Sequence, residues 1–302
     1  MNKPAILVTG ATGNTGRPLI DALLAGGARV RALTRDPAAA ALPPQVEVSG
    51  GDYAMPGVFA AAARGADAVF VNIGAIRGSL GDLIVTVRDE GVSRIVMLSS
   101  TTVRDQDEQE YALGAQHKTA EDAIKASGID WTILRCGGFA TNTLAWAGTI
   151  RADQMVRAPY GQAAMALIAE QDIAAAAVRP LLDPGHAGQT YYLTGPESLT
   201  QIQQAAAIAA AIGQPVRFEE LSPETFRQYA TRRFPAPVVD DLLRGWAASV
   251  GRATGIAPGL KKLTGQPPST RSGPPSPPAP TANAATTPAP GPPPYHPEKR
   301  TR

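Results

Sequence analysis

The stretch AILVTGATGNTG occupies residues 5–16 and decides the fold. Residues 6–9 form a short run of branched residues without a polar face, which is typical of a strand buried on both sides. A glycine-rich turn follows at once. Residues 17–25 then place three leucines on one face and stop at Gly26, which predicts a helix. The chain therefore opens with a strand, a glycine turn and a helix.

A strand, a glycine turn and a helix place free backbone N–H groups and the positive helix end beneath a pyrophosphate. The glycines are spaced G-x-x-G-x-x-G: Gly10 would allow the tight turn, Gly13 the close approach of a phosphate, and Gly16 the packing of helix on strand. A glycine-rich loop without a ligand is the alternative. The residues predicted to form this dinucleotide cradle are Gly10, Ala11, Thr12, Gly13, Asn14, Thr15 and Gly16.

The next strand, predicted over residues 28–34, closes a βαβ unit of about 30 residues, as a dinucleotide-binding fold requires. It ends at Arg35, in the position where an acid would bind a ribose diol. Because arginine suits a 2′-phosphate, the sequence favours NADP(H). Asp36 beside it keeps NAD(H) open as the cofactor, and a solvated Arg-Asp turn is the alternative without a ligand.

Small or polar residues also stand where later strands end, next to the expected cofactor groove. After a strand at residues 45–48, an aspartate could accept a hydrogen bond from the adenine amino group, although a plain Gly-Asp turn is equally consistent. A strand at residues 68–74 ends in a glycine, and the hydroxyl-bearing end of a strand at residues 94–101 should face the nicotinamide. The further cofactor residues predicted from these positions are Asp52, Tyr53, Asn72, Gly74 and Ser99.

The alternation of elements predicts the fold class. Six strands alternating with helices indicate an α/β fold with a Rossmann-like, doubly wound, mostly parallel sheet. The pattern then loosens, with a short strand at residues 164–169 and an alanine-rich helix capped by Asp172, which indicates a small C-terminal α+β substrate lobe. After Gly265 nearly half of the chain's 28 prolines follow, so this segment is predicted to be disordered.

These elements predict the domain organisation. An NAD(P)-binding domain is expected over residues 1–265, with a Rossmann core at about 1–150 and a substrate lobe at about 151–255. The disordered Pro-rich tail takes residues 266–302. Its PxxP spacing would suit an SH3-type protein partner, whereas an inert linker is the simpler interpretation.

Composition narrows the function classes. The chain has 302 residues, 44% of them hydrophobic, and a formal net charge of +2, so it carries no basic surplus for nucleic acid. No apolar segment approaches the roughly 20 residues that cross a bilayer, and no signal peptide precedes the first strand. The single cysteine, Cys136, excludes an internal disulfide, and the three histidines have no metal-ligand spacing. We expect a cytoplasmic monomer or homodimer that binds a small-molecule substrate, without metal, membrane or nucleic acid.

Several segments of the chain carry a family resemblance, at residues 9–16, 34–37, 51–52, 117–128 and 130–135 and at Asn142. Together they resemble the NmrA-like branch of the atypical short-chain dehydrogenases. The resemblance covers roughly residues 4–250 and implies a Rossmann domain with a small C-terminal substrate lobe. It also implies an activity, because members include NADPH-dependent quinone and dye reductases, isoflavone-reductase-like enzymes, and cofactor-sensing regulators with no known turnover.

The chain departs from its relatives at the catalytic positions. Typical short-chain dehydrogenases use a Tyr-x-x-x-Lys dyad, but here Tyr111 is followed four residues later by Ala115. Where isoflavone-reductase-like relatives carry a lysine, this chain has His117, with Lys118 beside it. The resemblance thus makes His117 and Lys118 the catalytic candidates. His117 could donate a proton at neutral pH, hydrogen-bond the nicotinamide ribose, or be a plain polar residue at a helix start.

The leading hypothesis is an NADP(H)-dependent reductase that passes hydride to a quinone or another conjugated small molecule. The substrate would lie between the strand end at Ser99-Ser100 and the segment at residues 139–146. A quinone needs little from the protein beyond orientation, because the cofactor carries the difficult chemistry. The alternative is an NAD(P)-sensing regulatory protein without turnover. A sugar-nucleotide epimerase is disfavoured because that chemistry depends on the missing tyrosine and lysine.

Overall fold

The computed structural model describes residues 3–52, 55, 57–76, 80–103 and 111–269. The predicted cofactor residue Tyr53 and the predicted tail from residue 270 onward lie outside the described residues. In chain order the strands are β1 (Ala5–Val8), β2 (Arg29–Thr34), β3 (Glu47–Gly50), β4 (Ala68–Asn72), β5 (Arg94–Ser100), β6 (Asp130–Cys136), β7 (Met155–Ala158), β8 (Ala164–Met165), β9 (Gln189–Leu193), β10 (Leu199–Thr200) and β11 (Arg217–Glu220).

The helices surround these strands in the expected alternation. In chain order they are α1 (Gly16–Ala25), α2 (Val58–Ala63), α3 (Leu80–Asp89), α4 (Ala112–Lys125), α5 (Ala147–Asp153), α6 (Glu170–Leu182), α7 (Gln201–Ile212), α8 (Pro223–Ala230), α9 (Ala236–Ser249) and α10 (Gly259–Thr264), with 3-10 helices at Ile73–Ala75 and Ala140–Trp146. None of the helices in the described ranges combines the length and the apolar character that crossing a membrane needs.

A seven-stranded parallel sheet organises the first part of the chain. Its strand order is β3-β2-β1-β4-β5-β6-β9, and every neighbouring pair is parallel. The chain builds outward from β1 in one direction and then returns to its other side at β4. The strand order therefore reverses between β1 and β4, which is where ligands bind at the carboxyl ends of such sheets. The predicted Rossmann-like fold is confirmed.

Both faces of this sheet are covered by apolar helix faces. On one face, Ile6 and Val8 of β1 pack in a cluster with residues of α1, α6 and α10, whereas Leu7 faces the opposite cluster beneath α2, α3 and α4. Strand β1 is completely buried, as its unbroken apolar run predicts. This burial on both sides fixes the position of the glycine turn that follows the strand.

By spatial contacts the described chain divides into two compact units rather than two consecutive segments. The first unit includes residues up to 141, 166–198 and 255 onward; the second includes residues 142–165 and 199–254. In the second unit β7 pairs with β11 in parallel and β8 with β10 in antiparallel. The predicted linear boundaries near residues 150 and 255 stay predictions.

Local capping explains where helices of the second unit begin. Thr200 Oγ1 accepts a hydrogen bond from the N–H of Gln203 at 3.1 Å, and Gln203 Oε1 accepts one from the N–H of Thr200 at 2.8 Å, so α7 starts with a capping box. Ser222 Oγ accepts from the N–H of Thr225 at 3.1 Å, with Pro223 as the first helical residue of α8.

Some predicted elements were wrong in their bounds. Helix α6 begins at Glu170 with Ala169 before it, so Asp172 lies in the first turn and does not cap the helix. Its carboxylate instead accepts hydrogen bonds from the N–H and hydroxyl of Ser269, at 2.8 and 3.0 Å. The strand predicted at residues 164–169 has only two residues, because the chain leaves β8 to run beside Phe139 as an isolated bridge at Ile168.

Candidate cofactor site and active site

The glycine turn after β1 has a geometry that only glycine allows at two positions. Gly10 has a φ of +67°, and a Cβ there would lie 3.1 Å from Ala75 Cβ and 3.2 Å from Asn72 Nδ2. A Cβ at Gly16 would lie 2.1 Å from the carbonyl oxygen of Gly10. Helix α1 can therefore begin directly against the strand end only because residue 16 is glycine.

The same turn leaves backbone donors unused. The N–H of Gly13 donates to the carbonyl oxygen of Gly10 at 3.0 Å, which closes the turn. No described residue accepts a hydrogen bond from the backbone N–H of Thr12, Asn14 or Thr15. These groups stand at the positive end of α1, so the cradle fits the pyrophosphate of a dinucleotide. Ala11 and Thr15 are buried, whereas Thr12, Gly13 and Asn14 are exposed.

Asn72 and Gly74 form the wall opposite the glycine turn. The backbone N–H of Asn72 donates to Thr9 Oγ1 at 2.8 Å, and the Thr9 hydroxyl donates to the carbonyl oxygen of Phe70 at 2.9 Å. Asn72 Oδ1 accepts from the N–H of Gly74 at 3.0 Å. These bonds join the ends of β1 and β4 at the point where strand order reverses. Direct contact of Asn72 and Gly74 with a cofactor stays a prediction.

The two charged residues after β2 differ in their surroundings. Asp36 Oδ1 accepts a hydrogen bond from the N–H of Ala39 at 3.1 Å, so this carboxylate closes a turn of its own segment. Arg35 is exposed, and among the described residues its guanidinium has no hydrogen-bond or ion-pair partner. Arg35 is thus available to an anionic ligand, whereas Asp36 is already engaged.

Strand β3 ends beside this segment. A Cβ at Gly50 would lie 2.8 Å from Pro37 Cγ, so the glycine allows the two strand ends to pack together. Asp52 follows and is half-buried, and its carbonyl oxygen accepts from the N–H of Met55 at 3.0 Å. The predicted contact of Asp52 with adenine stays a prediction.

Arg17 was missed in the sequence because it lies inside a helix and looks like an ordinary surface residue. Its Nε donates to the carbonyl oxygen of Thr12 at 3.2 Å, its Nη1 to that of Ala41 at 2.9 Å, and its Nη2 to that of Ala40 at 2.8 Å. One side chain therefore links the glycine turn to the segment that follows β2.

Ser99, at the end of β5, is part of a buried polar network. Its hydroxyl donates to Glu121 Oε1 at 2.6 Å. Arg135 donates to the same carboxylate at two points, and Lys125 Nζ approaches it at 3.2 Å. Ser99, Glu121 and Arg135 are all nearly inaccessible. The predicted contact of Ser99 with nicotinamide stays a prediction, because its hydroxyl proton is directed to Glu121.

The electrostatics of this network favour the ionised carboxylate. Burial alone would raise the pKa of Glu121, but the hydrogen bonds from Arg135 and Ser99, with the charge of Arg135, outweigh burial and lower the pKa. Arg135 Nη1 also donates to the phenol oxygen of Tyr192 at 2.7 Å, which occupies another guanidinium donor. Helix α4 is thus joined to β5 and β6 by a charge cluster that sequence reasoning did not identify.

The catalytic candidates His117 and Lys118 lie on α4 with different partners. His117 Nδ1 is 2.9 Å from the carbonyl oxygen of Leu113, and since a carbonyl only accepts, Nδ1 carries the proton. Burial lowers the pKa of His117, so the ring is neutral at pH 7 and its Nε2 is an acceptor. Lys118 Nζ lies 2.7 Å from Asp122 Oδ2 on the helix surface. Catalytic roles for both stay predictions.

The first turn of α4 approaches the end of β5 closely. A Cβ at Gly114 would lie 2.4 Å from the carbonyl oxygen of Thr102, so glycine is needed for this contact. Ser100 Oγ lies 2.8 Å from Thr102 Oγ1 and accepts from the N–H of Thr102 at 3.1 Å. The helix that carries His117 is therefore held against the strand end that was predicted to face the nicotinamide.

A second buried carboxylate lies behind the glycine turn. Glu170 Oε1 accepts from the N–H of Thr141 at 3.2 Å and also from its hydroxyl. Asn14 Nδ2 donates to the oxygen of that hydroxyl at 3.2 Å. Asn14 is thus held by a chain of contacts that ends at Glu170, and this arrangement had no sequence signal because its members are far apart in the chain.

The described residues do not include a group of three or more histidine, cysteine, aspartate or glutamate side chains arranged to hold a metal ion. Cys136 is buried, and burial raises the pKa of its thiol. Its Sγ lies 3.7 Å from the carbonyl oxygen of Leu134. The thiol is therefore protonated and packs as a small apolar side chain.

Comparisons with known proteins agree with this geometry. A family model described as NAD(P)H-binding matches residues 10–184. A (4-alkanoyl-5-oxo-2,5-dihydrofuran-3-yl)methyl phosphate reductase from Streptomyces griseus is 36% identical over 265 residues, which cover 87% of this chain and 93% of the relative. An NAD(P)H azoreductase from Xenophilus azovorans is 32% identical over 272 residues, covering 88% of this chain and 94% of the relative.

A solved structure agrees as well. The NADPH-dependent quinone oxidoreductase from Escherichia coli superimposes with a TM-score of 0.72 at 28% identity, covering 88% of this chain and 96% of that one. The match extends over nearly the whole of each relative, so it is not confined to the nucleotide-binding half. The chain therefore belongs to the NAD(P)H-binding family and is an NAD(P)H-dependent oxidoreductase.

Proposed function

We propose that the chain uses NADP(H) to reduce a quinone or a similar conjugated small molecule. The observation that carries this proposal is the state of the catalytic candidates. The neutral His117 ring offers Nε2 as an acceptor, Lys118 is paired with Asp122, and the position of a dyad lysine is Ala115. An isolated carbonyl needs a positioned acid as hydride arrives, but a conjugated acceptor spreads the new charge and can take its proton from water.

The relatives support this choice of substrate class. Their printed names specify an alkanoyl dihydrofuranone phosphate, an azo compound and a quinone. In the quinone and in the alkanoyl dihydrofuranone, the bond that receives hydride is conjugated with a carbonyl group, which spreads the new charge. This lowers the demand for protonation by the enzyme and agrees with the residues on α4 and at the end of β5.

The proposed cofactor contacts follow the geometry of the strand ends. When bound, the cofactor supplies the hydride. The N–H groups of Thr12, Asn14 and Thr15, for which no described residue is an acceptor, would bind its pyrophosphate. The guanidinium of Arg35, which has no partner within the described ranges, would bind a 2′-phosphate. Glu121 and Arg135 would hold Ser99 in a fixed orientation at the end of β5.

Steady-state kinetics of the full-length chain test the proposal. NADPH oxidation is measured by absorbance with a naphthoquinone, an azo dye and cyclohexanone, at matched concentrations. We expect turnover with the conjugated acceptors and at least about a hundredfold lower kcat/KM with cyclohexanone, the typical contribution of a missing general acid. Equal or faster reduction of cyclohexanone would contradict the substrate class. Tight NADPH binding without turnover on any acceptor would instead favour the NAD(P)-sensing alternative.

A further inference from the structure

Each nitrogen of the Arg17 guanidinium donates to a backbone carbonyl group. Its Nε, Nη1 and Nη2 donate to the carbonyl oxygens of Thr12, Ala41 and Ala40, and no described carboxylate forms an ion pair with it. Three of the five N–H groups of the guanidinium therefore bind backbone carbonyl groups. These contacts tie the glycine turn to the segment after β2.

The segment that Arg17 holds, residues 35–41, ends in an unusual backbone conformation. Ala41 has a φ of +45°, a conformation that a non-glycine residue keeps only when its surroundings impose it. A cavity of about 370 Å³ lies between the segment and helix α1, lined by Arg17, Asp21, Ala41, Leu42 and Pro43. Polar contacts from Arg17 therefore hold the segment on this side, in addition to the burial of Ala40.

Two turns connect Arg35 to Ala40 and Ala41, which accept hydrogen bonds from Arg17. The N–H of Ala40 donates to the carbonyl oxygen of Pro37 at 3.3 Å, and the N–H of Ala39 donates to Asp36 Oδ1 at 3.1 Å. On the other side, the carbonyl oxygen of Thr34 accepts from the N–H of Gly51 at 3.0 Å. Arg35 is thus held by the end of β2 on its N-terminal side, and by the hydrogen bonds from Arg17 to Ala40 and Ala41 on its C-terminal side.

We infer that Arg17 is a positioning residue for NADP(H) selectivity, which acts by holding the 35–41 segment so that Arg35 faces the 2′-phosphate. This inference rests on the proposed role of Arg35. A planar guanidinium is required because two of its donors reach successive carbonyl groups while the third reaches Thr12. A lysine ammonium keeps the charge but cannot span these three acceptors.

The test compares the dissociation constants of NADPH and NADH, measured by fluorescence titration, for wild type, Arg17→Lys, Arg35→Ala and the double variant. Arg29→Lys, an exposed arginine at the start of β2, is the matched control. We expect Arg17→Lys to weaken NADPH binding about tenfold and NADH binding less than about twofold. In the Arg35→Ala background, Arg17→Lys should have no further effect on NADPH binding. The Arg29→Lys control should keep both dissociation constants, and kcat with the naphthoquinone at saturating NADPH, within about twofold of wild type.

Other outcomes would overturn the inference. Equal weakening of NADPH and NADH by Arg17→Lys would mean that Arg17 supports the pyrophosphate cradle through Thr12 and not selectivity. An undiminished effect in the Arg35→Ala background would mean that Arg17 does not act through Arg35. If Arg35→Ala alone leaves the NADPH/NADH ratio unchanged, the phosphate assignment fails first and the inference fails with it. Melting temperatures of all variants, expected within a few degrees of Arg29→Lys, would show that the fold is retained.

Discussion

Arg135 and Glu121 form a two-point ion pair in the interior of the protein, with Nε 2.9 Å from Oε1 and Nη2 2.7 Å from Oε2. Neither side chain is more than 3% exposed. The pair connects α4, which carries the catalytic candidates, to the strand next to Ser99. The pair contributes to stability, because either partner alone would be a buried charge without a counter-charge.

Removal of one partner should therefore be costly. We expect Glu121→Gln to lower the free energy of unfolding by about 3–5 kcal/mol, because Arg135 would be left buried without a counter-charge. Urea denaturation measures this change. The double variant Glu121→Leu with Arg135→Met should be less destabilised than the sum of its single variants. A loss below about 1 kcal/mol for Glu121→Gln would show that the pair is not buried in solution.

The lowered pKa of Glu121 predicts a dependence of stability on pH. A carboxyl group whose pKa is lower in the folded than in the unfolded state stabilises the fold above its unfolded pKa, about 4.3, and loses this contribution as pH falls through its folded pKa. Between pH 5 and pH 3, the melting temperature of Glu121→Gln should decrease less steeply than that of wild type. An equal decrease would mean that Glu121 has the same pKa in the folded and unfolded states.

His117 is expected to be dispensable for quinone reduction. Its neutral ring carries the proton on Nδ1, so Nε2 accepts and does not donate at pH 7. We expect His117→Gln to leave kcat with a naphthoquinone within about threefold of wild type, whereas loss of a true general acid costs a hundredfold or more. The NMR titration of the His117 ring should have a midpoint below the ordinary value of about 6.5. A drop in kcat above a hundredfold would make His117 the proton donor.

Substitutions at two glycines of the cradle should affect folding and cofactor binding to different extents. A methyl group at Gly16 would meet the Gly10 carbonyl oxygen at 2.1 Å, so Gly16→Ala should lower both the melting temperature and NADPH affinity. At Gly13 the nearest atom would be 3.2 Å away, so Gly13→Ala should lower the melting temperature less than Gly16→Ala does while weakening NADPH binding by about tenfold or more. Gly255→Ala, which meets nothing within 4 Å, is the control. Unchanged NADPH affinity in Gly13→Ala would argue against a phosphate at this turn.

Cofactor preference tests the assignment of Arg35 directly. We expect Arg35→Ala to weaken NADPH binding about tenfold or more and to leave NADH binding within about twofold, because only NADPH carries the 2′-phosphate. Asp36→Asn keeps an oxygen that can accept from Ala39, so it should preserve the turn and the preference. If wild type binds both cofactors equally, the assignment has no basis.

The sequence was sufficient for the sheet but not for the polar contacts behind it. The apolar run of β1 and the glycine spacing depend on local rules, and the seven-stranded sheet confirms them. Arg17, Glu121 and Glu170 were missed because their partners are 24, 14 and 29 residues away, and periodicity carries no information about such pairs. Helix α4 also begins at Ala112 rather than near His117, since a helix start without a side-chain cap gives no signal.

The short helix α10 determines how far the chain can be truncated from its C-terminus without loss of core residues. Its Leu260 and Leu263 fill the core beside α6, and Gly259 lies against β9, where a Cβ would be 2.2 Å from the carbonyl oxygen of Tyr192. Ser269 is then fastened to Asp172. A truncation at residue 255 would remove Leu260 and Leu263 from the core and expose the apolar surface that they cover. A truncation immediately after Ser269 would keep both leucines and the hydrogen bonds from Ser269 to Asp172. For expression or crystallisation, a shortened chain should therefore retain at least the residues up to 269 and should not stop at the end of the predicted substrate lobe.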